Sequence, residues 1–230
     1  MRSLFLPLLA FLASTLVAFA ETPRQPVALL NGKDLSGWEL ITPEKKPIAD
    51  VCHPKPDGVV AIDGAPVGFL ATTTSYENYR LHVEWRWTGK PDNSGVLLHI
   101  SEGKMDRMWP VSFQVQTKYK RVGDILPMAG AKVAEPLGGT PAVPTISRLN
   151  ADNEKPVGEW NSADIDCRGD TIEVTINGLA QNRITKCVPA AGKIGFQVKG
   201  VPFEIRNVRL EPLPLSIDRS FQAPAPAVAR

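Results

Sequence analysis

The sequence predicts an all-β protein in which two antiparallel sheets pack as a sandwich or jelly roll. Two observations support this prediction. From about residue 60 onward the chain consists of short runs with period-two patterning, and Gly, Pro, Asn and Asp separate these runs. No segment carries an amphipathic helical pattern of three turns, so helices are not expected between the strands. The expected strands are residues 68–74, 79–87, 95–101, 111–118, 163–168, 171–176, 179–185, 193–198 and 203–210.

The two ends of the chain are expected to lie outside this domain. A positive Arg2, an apolar run over residues 4–13 and a small-x-small pattern ending at Ala20 are typical of a secretory signal peptide. We therefore expect a secreted or periplasmic protein with no membrane span. The predicted divisions are a signal peptide at 1–20, one β-sandwich domain at 21–213 and a disordered, Ala-Pro-rich tail at 214–230.

The charge of the chain and its lack of common motifs exclude several functions. The formal net charge is only +2 at pH 7, which gives no reason to expect nucleic acid or an anionic membrane surface as a partner. The sequence lacks G-x-S-x-G, HExxH and a phosphate-binding glycine loop. Its three histidines are too widely spaced for a zinc pattern. A ligand without strong charge fits this balance best.

Three cysteines occur in a chain that is expected to reach an oxidising compartment, and two of them flank the turn signal Asn177-Gly178. A three-residue hairpin loop would place Cys167 and Cys187 directly opposite each other, whereas a two-residue loop would make them face apart. We favour the first alternative and expect a Cys167–Cys187 disulfide. Cys52 would then be an unpaired, buried thiol.

The segment 121–155 differs from the rest of the domain, because it is rich in Gly and Pro and shows little periodicity. A loop of this length in a compact domain tends to be functional or mobile. The segment begins beside Gly123-Asp124, where an aspartate in a turn is the simpler interpretation.

Several predicted strands present a polar face that contains more than Ser, Thr and Lys. Strand 111–118, for example, alternates Phe113 and Val115 with Gln114 and Gln116. In strand 95–101 the same alternation places His99 on the face away from the core. The polar set comprises Glu84, Arg86, His99, Gln114, Gln116, Gln197 and Lys199.

This polar set has two interpretations. Amides and forked cations donate and accept hydrogen bonds at fixed angles, so they suit a hydroxyl-rich ligand. Alternation alone favours the other interpretation, in which the set is the solvated outer face of one sheet. Glu84 and Arg86 in particular could form structural cross-strand ion pairs.

Longer motifs occur in a recognisable order along residues 27–213. They are Asn31-Gly32-Lys33-Asp34-Leu35-Ser36-Gly37-Trp38, Glu84-Trp85-Arg86-Trp87, Asn93-Ser94-Gly95, Met108-Trp109-Pro110, Gln114-Val115-Gln116, Gly123-Asp124, Glu159-Trp160-Asn161, Ile176-Asn177-Gly178, Gly192-Lys193-Ile194-Gly195-Phe196-Gln197 and Phe203-Glu204-Ile205-Arg206-Asn207-Val208. Together they resemble the 3-keto-disaccharide hydrolase family. The resemblance implies a concanavalin-like or laminin-G-like sandwich of two antiparallel sheets, with the ligand in a cleft on the concave face.

The resemblance also implies a substrate class, which is glycosides whose glucose unit is oxidised at carbon 3. The keto group acidifies the proton on carbon 2, so a base can remove that proton and expel the carbon-1 substituent, after which water adds. This chemistry needs a base, a stabiliser for the enolate oxygen and help for the leaving group. A divalent metal ion could be the stabiliser, although the sequence itself does not identify a cofactor.

The sequence departs from the family pattern at two positions to which the resemblance would assign a role. Gln114 stands where members commonly have Glu, and Lys199-Gly200 stands where they have His-Gly. Since an amide cannot act as a base, we expect His99 to be the base. The further expected catalytic residues are Glu84, Asp124 and Lys199. The expected substrate-binding residues are Arg86, Gln114, Gln116, Gln197 and Trp109.

Two functional hypotheses follow for a protein whose partner is a carbohydrate. The first, which we favour, is a secreted enzyme that cleaves 3-keto-glucosides or 3-keto-disaccharides. The second is a carbohydrate-binding module that keeps the fold but has lost the reaction, and the residues at 114 and 199 favour it. A domain whose polar face merely contacts water is a third alternative. The sequence does not predict the oligomeric state.

Overall fold

The computed structural model describes residues 25–103 and 105–214 and shows a sandwich of two antiparallel sheets. The predicted signal peptide and all but the first residue of the predicted tail lie outside the described residues. The strands are β1 (Val27–Ala28), β2 (Trp38–Ile41), β3 (Cys52–Pro54), β4 (Val60–Ile62), β5 (Gly68–Thr72), β6 (Tyr79–Trp87), β7 (Gly95–Ile100), β8 (Met105–Asp106), β9 (Trp109–Pro110), β10 (Ser112–Gln116), β11 (Ile125–Met128), β12 (Gly138–Thr140), β13 (Val143–Thr145), β14 (Asn161–Arg168), β15 (Thr171–Ile176), β16 (Leu179–Ile184), β17 (Lys193–Val198) and β18 (Phe203–Pro212). A short 3₁₀ turn covers Ile48–Asp50.

The predicted all-β sandwich is confirmed. Sheet A has eight strands in the order β16-β15-β14-β6-β18-β4-β3, and β1 also pairs with β18. Sheet B has six strands in the order β11-β10-β7-β17-β5-β2. Every predicted strand is present with small shifts at its ends. The segment 121–155, which we expected to be a loop, contains β11 and the hairpin β12–β13.

The core lies between the two sheets and is built from alternate residues of their strands. On β6 the predicted core face is confirmed, since its five apolar side chains from Tyr79 to Trp87 are at most 2% exposed. Sheet B contributes Phe113 of β10 and Phe196 of β17, and the Phe196 ring lies 5.7 Å from that of Trp38. Burial of large aromatic side chains contributes much of the stability of such a core.

The outer face of sheet A carries ion pairs that the strand register sets up. Arg86 on β6 stands opposite Glu204 on β18, and their side chains form a 2.7 Å pair that Lys55 joins. Glu84 stands opposite Arg206, and these side chains form a 2.6 Å pair. Glu84 and Arg86 therefore match the structural alternative. Our expectation that they share a face with Gln114 is wrong, because β6 and β10 belong to different sheets.

His99 lies in the core, so its expected place on the outer face is also wrong. Between the pairs Leu97–Gly195 and Ile100–Lys193, strand β7 contains one residue more than β17. His99 adopts a φ of 52° within this bulge, and its ring packs against Tyr79 at 6.1 Å and Phe113 at 6.2 Å. A bulge reverses the alternation beyond it, which is why Ile100 rather than His99 reaches the outer face.

The expected disulfide is absent, and all three cysteines are buried free thiols. The Asn177-Gly178 turn joins β15 to β16, whereas Cys167 lies on β14 and Cys187 follows β16. Strand β15 therefore separates the strands that we expected to pair directly. Burial raises the pKa of the Cys167 thiol to about 12, which makes it unreactive.

The position of His99 predicts a loss of stability in acid. Burial lowers the pKa of its imidazole from 6.5 to about 4 and outweighs the hydrogen bond between Nδ1 and the Pro189 carbonyl, which by itself raises the pKa. The other ring nitrogen, Nε2, has no partner among the described residues. Between pH 6.5 and pH 4 the imidazole is protonated in the unfolded chain but neutral in the folded chain, so unfolding takes up a proton. Stability should therefore be complete above pH 6.5 and fall by about 3 kcal/mol as the pH drops to 4.

Urea unfolding of the wild type and of His99→Gln between pH 4 and pH 7.5 measures this effect. The variant should lack this component of the pH dependence, because its amide does not titrate. If the free energy of unfolding changes with pH equally in the two proteins, His99 is not the group responsible for the loss of stability.

Candidate functional site

The outer face of sheet B gathers most of the remaining predicted site residues. On β10, Gln114 and Gln116 point away from the core residues Phe113 and Val115. On β17, Gln197 points away from Phe196 in the same manner. The register places Gln197 and Gln116 on either side of Gly95, the first residue of β7. Three glutamines thus meet around one position without a side chain.

A hydrogen bond joins two of these glutamines. Gln114 Nε2 donates to Gln197 Oε1 over 2.9 Å and lies 3.4 Å from the carbonyl oxygen of Ser94. Both glutamines are at most 3% exposed. The Gln114 side chain crosses directly over Gly95, where a Cβ atom would lie 2.4 Å from Nε2. A glycine is therefore required at position 95 because the Gln114 side chain passes close to its Cα atom, and not because of its backbone angles.

Among the residues that the structure describes, two amide oxygens on this face have no hydrogen-bond partner. Gln116 is 8% exposed, and its Oε1 is buried and unpartnered. The Oδ1 atom of Asn93 is likewise buried and unpartnered. Backbone hydrogen bonds from Thr117 to Ser94 and from Tyr119 to Asp92 extend the β7–β10 pairing, so Asn93 shares the face of Gly95. Both oxygens therefore have an unused capacity to accept a hydrogen bond.

An aromatic residue and a cation flank the amides. The Nζ atom of Lys199, two residues beyond Gln197, lies 5.9 Å from the centre of the Trp109 ring. Trp109 is partly exposed and packs on an apolar cluster of the same face. The buried members of that cluster are Phe69, Ala71, Leu97 and Ile100.

Asp124 is next to Gln116 but is held by the protein itself. The Gln116 N–H donates to the backbone oxygen of Asp124 over 2.9 Å. The Asp124 carboxylate is 3% exposed, and its Oδ1 accepts the Arg148 backbone N–H over 2.9 Å. The guanidinium of Arg121 is 3.7 Å from Oδ2. This carboxylate therefore stabilises the start of β11 and the segment that follows it.

The predicted site residues thus separate into three places. Gln114, Gln116, Gln197, Lys199 and Trp109 come together on the outer face of sheet B, with Asp124 at its margin. His99 lies in the core. Glu84 and Arg86 lie on the outer face of sheet A, where Glu84 and Arg206 line a cavity of about 420 Å³.

Asn93 is the residue that the sequence analysis missed as a site candidate. It was visible only as the first residue of the Asn-Ser-Gly motif, and no pattern marked its amide as unsatisfied. An unpartnered atom is a property of the surrounding structure, so periodicity cannot reveal it.

Neither a metal centre nor a membrane helix is found in the described ranges. Among residues 25–103 and 105–214, no three His, Cys, Asp or Glu side chains are grouped so that they could hold a metal ion. The amides of the glutamine cluster offer neutral oxygens only, whereas protein sites for divalent cations usually include at least one carboxylate. In the same part of the chain, no helix has the length and apolar character to span a membrane.

Comparison with protein families gives one match that covers most of the chain. Residues 25–211 match the family described as the 3-keto-alpha-glucoside-1,2-lyase-like domain. No curated protein sequence matches the chain significantly.

Several solved structures share the fold. A provisionally named glycosyl hydrolase from Parabacteroides distasonis superposes with a TM-score of 0.60 at 19% identity, covering 82% of this chain and 94% of its own. A carbohydrate-binding module from Bacillus subtilis superposes with a TM-score of 0.53 at 13% identity, covering 76% and 95%. The β-glucanase of Bacillus licheniformis superposes with a TM-score of 0.54 at 10% identity, covering 80% and 96%. At these identities the similarity shows the sandwich fold alone.

Gly95→Ala is expected to disrupt the glutamine pair while the sandwich persists. The new methyl group must displace the Gln114 side chain, so the hydrogen bond to Gln197 is lost at a cost of about 1 kcal/mol. Side-chain amide resonances of Gln114 and Gln197, together with urea unfolding, measure both effects.

Gly89→Ala is the matched control, because a Cβ atom there meets nothing within 4 Å. It should leave the amide resonances unchanged and alter stability by less than about 1 kcal/mol. Identical spectra for Gly95→Ala and the wild type would contradict the geometry described for Gly95.

Proposed function

We propose, because the chain belongs to the 3-keto-alpha-glucoside-1,2-lyase-like family, that it is a secreted enzyme cleaving glycosides whose glucose unit carries a keto group at carbon 3. The family match over residues 25–211 is the observation that carries this proposal. The glutamine cluster on the outer face of sheet B supports it, since amides suit a ligand rich in hydroxyl groups.

The reaction is an elimination followed by an addition. A base takes the proton from carbon 2, which the neighbouring keto group acidifies, and the electron pair is held as an enolate on the carbon-3 oxygen. Collapse of the enolate forms a carbon 1–carbon 2 double bond and expels the carbon-1 oxygen, which takes up a proton as it leaves. Water then adds a hydroxyl group to carbon 1 and a proton to carbon 2, which regenerates the keto sugar.

Lys199 is the group on this face that we assign as the base. It is exposed, lies over the Trp109 ring and forms no ion pair with a carboxylate of the described residues. An amine accepts a proton only when it is neutral, and a lysine becomes a base when water is excluded from it, so this assignment requires that the bound sugar cover Lys199. Gln114, Gln116 and Gln197 would hold the sugar beside it. His99, Glu84 and Arg86 have no role in this scheme, because they lie away from the face.

A second candidate function is carbohydrate binding without cleavage. The observation that favours it is the replacement of a titratable group by an amide at the centre of the face, where Gln114 bonds to Gln197. The Asp124 carboxylate, at the margin of this face, already accepts a backbone N–H. In this alternative Lys199 would contribute only to binding.

The first experiment offers the purified protein p-nitrophenyl 3-keto-α-glucoside and its unoxidised parent. We expect nitrophenol release from the keto compound alone, because only its carbon-2 proton is acidified. Binding without release from either compound would instead support the carbohydrate-binding module. The assay is run with EDTA and with added Mn²⁺, and a requirement for the cation would contradict a mechanism that depends on Lys199 and amides alone.

Lys199→Met tests the assignment of the base. The variant should lose about 10²- to 10⁴-fold in kcat, the usual contribution of a general base, while KM changes little. Lys33→Met, which alters an exposed lysine near the cavity on the other sheet, is the control and should keep full activity. A Lys199→Met variant with wild-type kcat would remove this residue from the reaction.

A further inference from the structure

Two unsatisfied oxygens occupy neighbouring positions on the outer face of sheet B. Gln116 stands opposite Gly95, and Asn93 precedes Gly95 by two residues on the adjoining chain segment. Diagonal neighbours of this kind have Cα atoms about 7–8 Å apart, so their side-chain amides can reach the same small molecule. Neither Oδ1 of Asn93 nor Oε1 of Gln116 has a hydrogen-bond partner within residues 25–103 and 105–214.

Such atoms lower the stability of the folded chain. A buried oxygen without a donor loses its hydrogen bond to water and gains nothing in exchange. The neighbouring Gln114 and Gln197 show that amides on this face can be satisfied, since they bond to each other over 2.9 Å. Within the described residues, these two are the acceptors without a partner that share the outer face of sheet B, and a ligand that supplies hydrogen-bond donors would satisfy both.

The chemistry of the ligand follows from the atoms. Both free groups are carbonyl-type oxygens, so they accept hydrogen bonds and cannot bind a keto oxygen, which carries no hydrogen. A 3-keto-glucose ring has hydroxyl donors at carbons 2, 4 and 6 only. The carbon-2 hydroxyl adjoins the bond that reacts, which leaves the hydroxyls at carbons 4 and 6 for recognition.

We infer that Asn93 and Gln116 form a hydroxyl-acceptor pair that selects sugars with free hydroxyl groups at carbons 4 and 6. This inference rests on the proposed function for the identity of the sugar. It adds Asn93 to the site and assigns both amides to specificity rather than to the chemical step. A site built to pair a hydroxyl group discriminates strongly against an analogue that lacks it, because its own polar atom is then left buried and unpaired.

The test measures binding separately from turnover. The probe is 3-keto-1,5-anhydroglucitol, which has no aglycone at carbon 1 to release, and its 4-deoxy and 6-deoxy analogues. Calorimetric titration of the wild type should show at least one deoxy analogue binding about tenfold to a hundredfold more weakly than the parent.

Apolar substitutions of similar size separate ligand recognition from a structural role. Gln116→Met and Asn93→Leu should each weaken binding of the parent probe by about tenfold to a hundredfold and remove the discrimination between parent and deoxy analogue. Both variants should unfold at a temperature equal to or about 2–4 °C above that of the wild type, because an unpaired buried oxygen has been removed. A merely structural amide would instead give a lower melting temperature. Asn150→Ala, at an exposed amide with its own partner, is the control and should bind normally.

Three results would overturn the inference. They are equal binding of parent and deoxy probes, discrimination that persists in both variants, and no binding of the parent probe by the wild type. Release of nitrophenol from the keto-glucoside is scored independently, so an active enzyme without hydroxyl discrimination would refute this inference and leave the proposed function standing.

Discussion

The packing of one aromatic strand face between two sheets is the constraint on which the rest of the structure depends. The five apolar residues of β6 from Tyr79 to Trp87 are almost completely buried, and they fix which side of sheet A faces sheet B. Outside the bulges, alternation and register then determine which residues point outward. The ion pairs of Glu84 and Arg86 with β18, and the amide cluster of sheet B, lie on opposite surfaces of the sandwich for this reason.

The two outer surfaces differ in how their polar groups are satisfied. On sheet A, opposite charges meet across strands, so Glu84 and Glu204 each have a cationic partner. On sheet B, glutamines replace charges, and the amide hydrogen bonds are only partly complete. The paired charges of sheet A stabilise the strands and are less free to bind a ligand. The incomplete surface is the one whose free oxygens can bind hydroxyl groups.

Two details of sheet B shape that surface. Gly95 has no side chain, which lets the Gln114 amide cross β7 and reach Gln197. The bulge at His99 turns an imidazole into the core and turns Ile100 outward, so the centre of the face contains amides and apolar groups but no histidine. The chemistry proposed for this face consequently depends on Lys199 and on the hydroxyl groups of the sugar.

The sequence by itself determined the all-β class, the positions of the long strands and the core face of β6, because period-two alternation depends only on neighbouring residues. It also placed Gln114, Gln116, Gln197 and Lys199 on one polar face, although it grouped Glu84, Arg86 and His99 with them. Only the tertiary structure decided that Glu84 and Arg86 belong to the other sheet, since alternation does not say which sheet a strand joins. The bulge that buries His99 was equally hidden, because it arises from pairing between β7 and β17, which are distant in sequence. The strand between Cys167 and Cys187 was predicted at 171–176, so the expected disulfide was wrong because it overlooked that strand. Whether the Asn93 oxygen finds a hydrogen-bond donor depends on the residues that surround it in the fold, and a local sequence pattern does not show those neighbours.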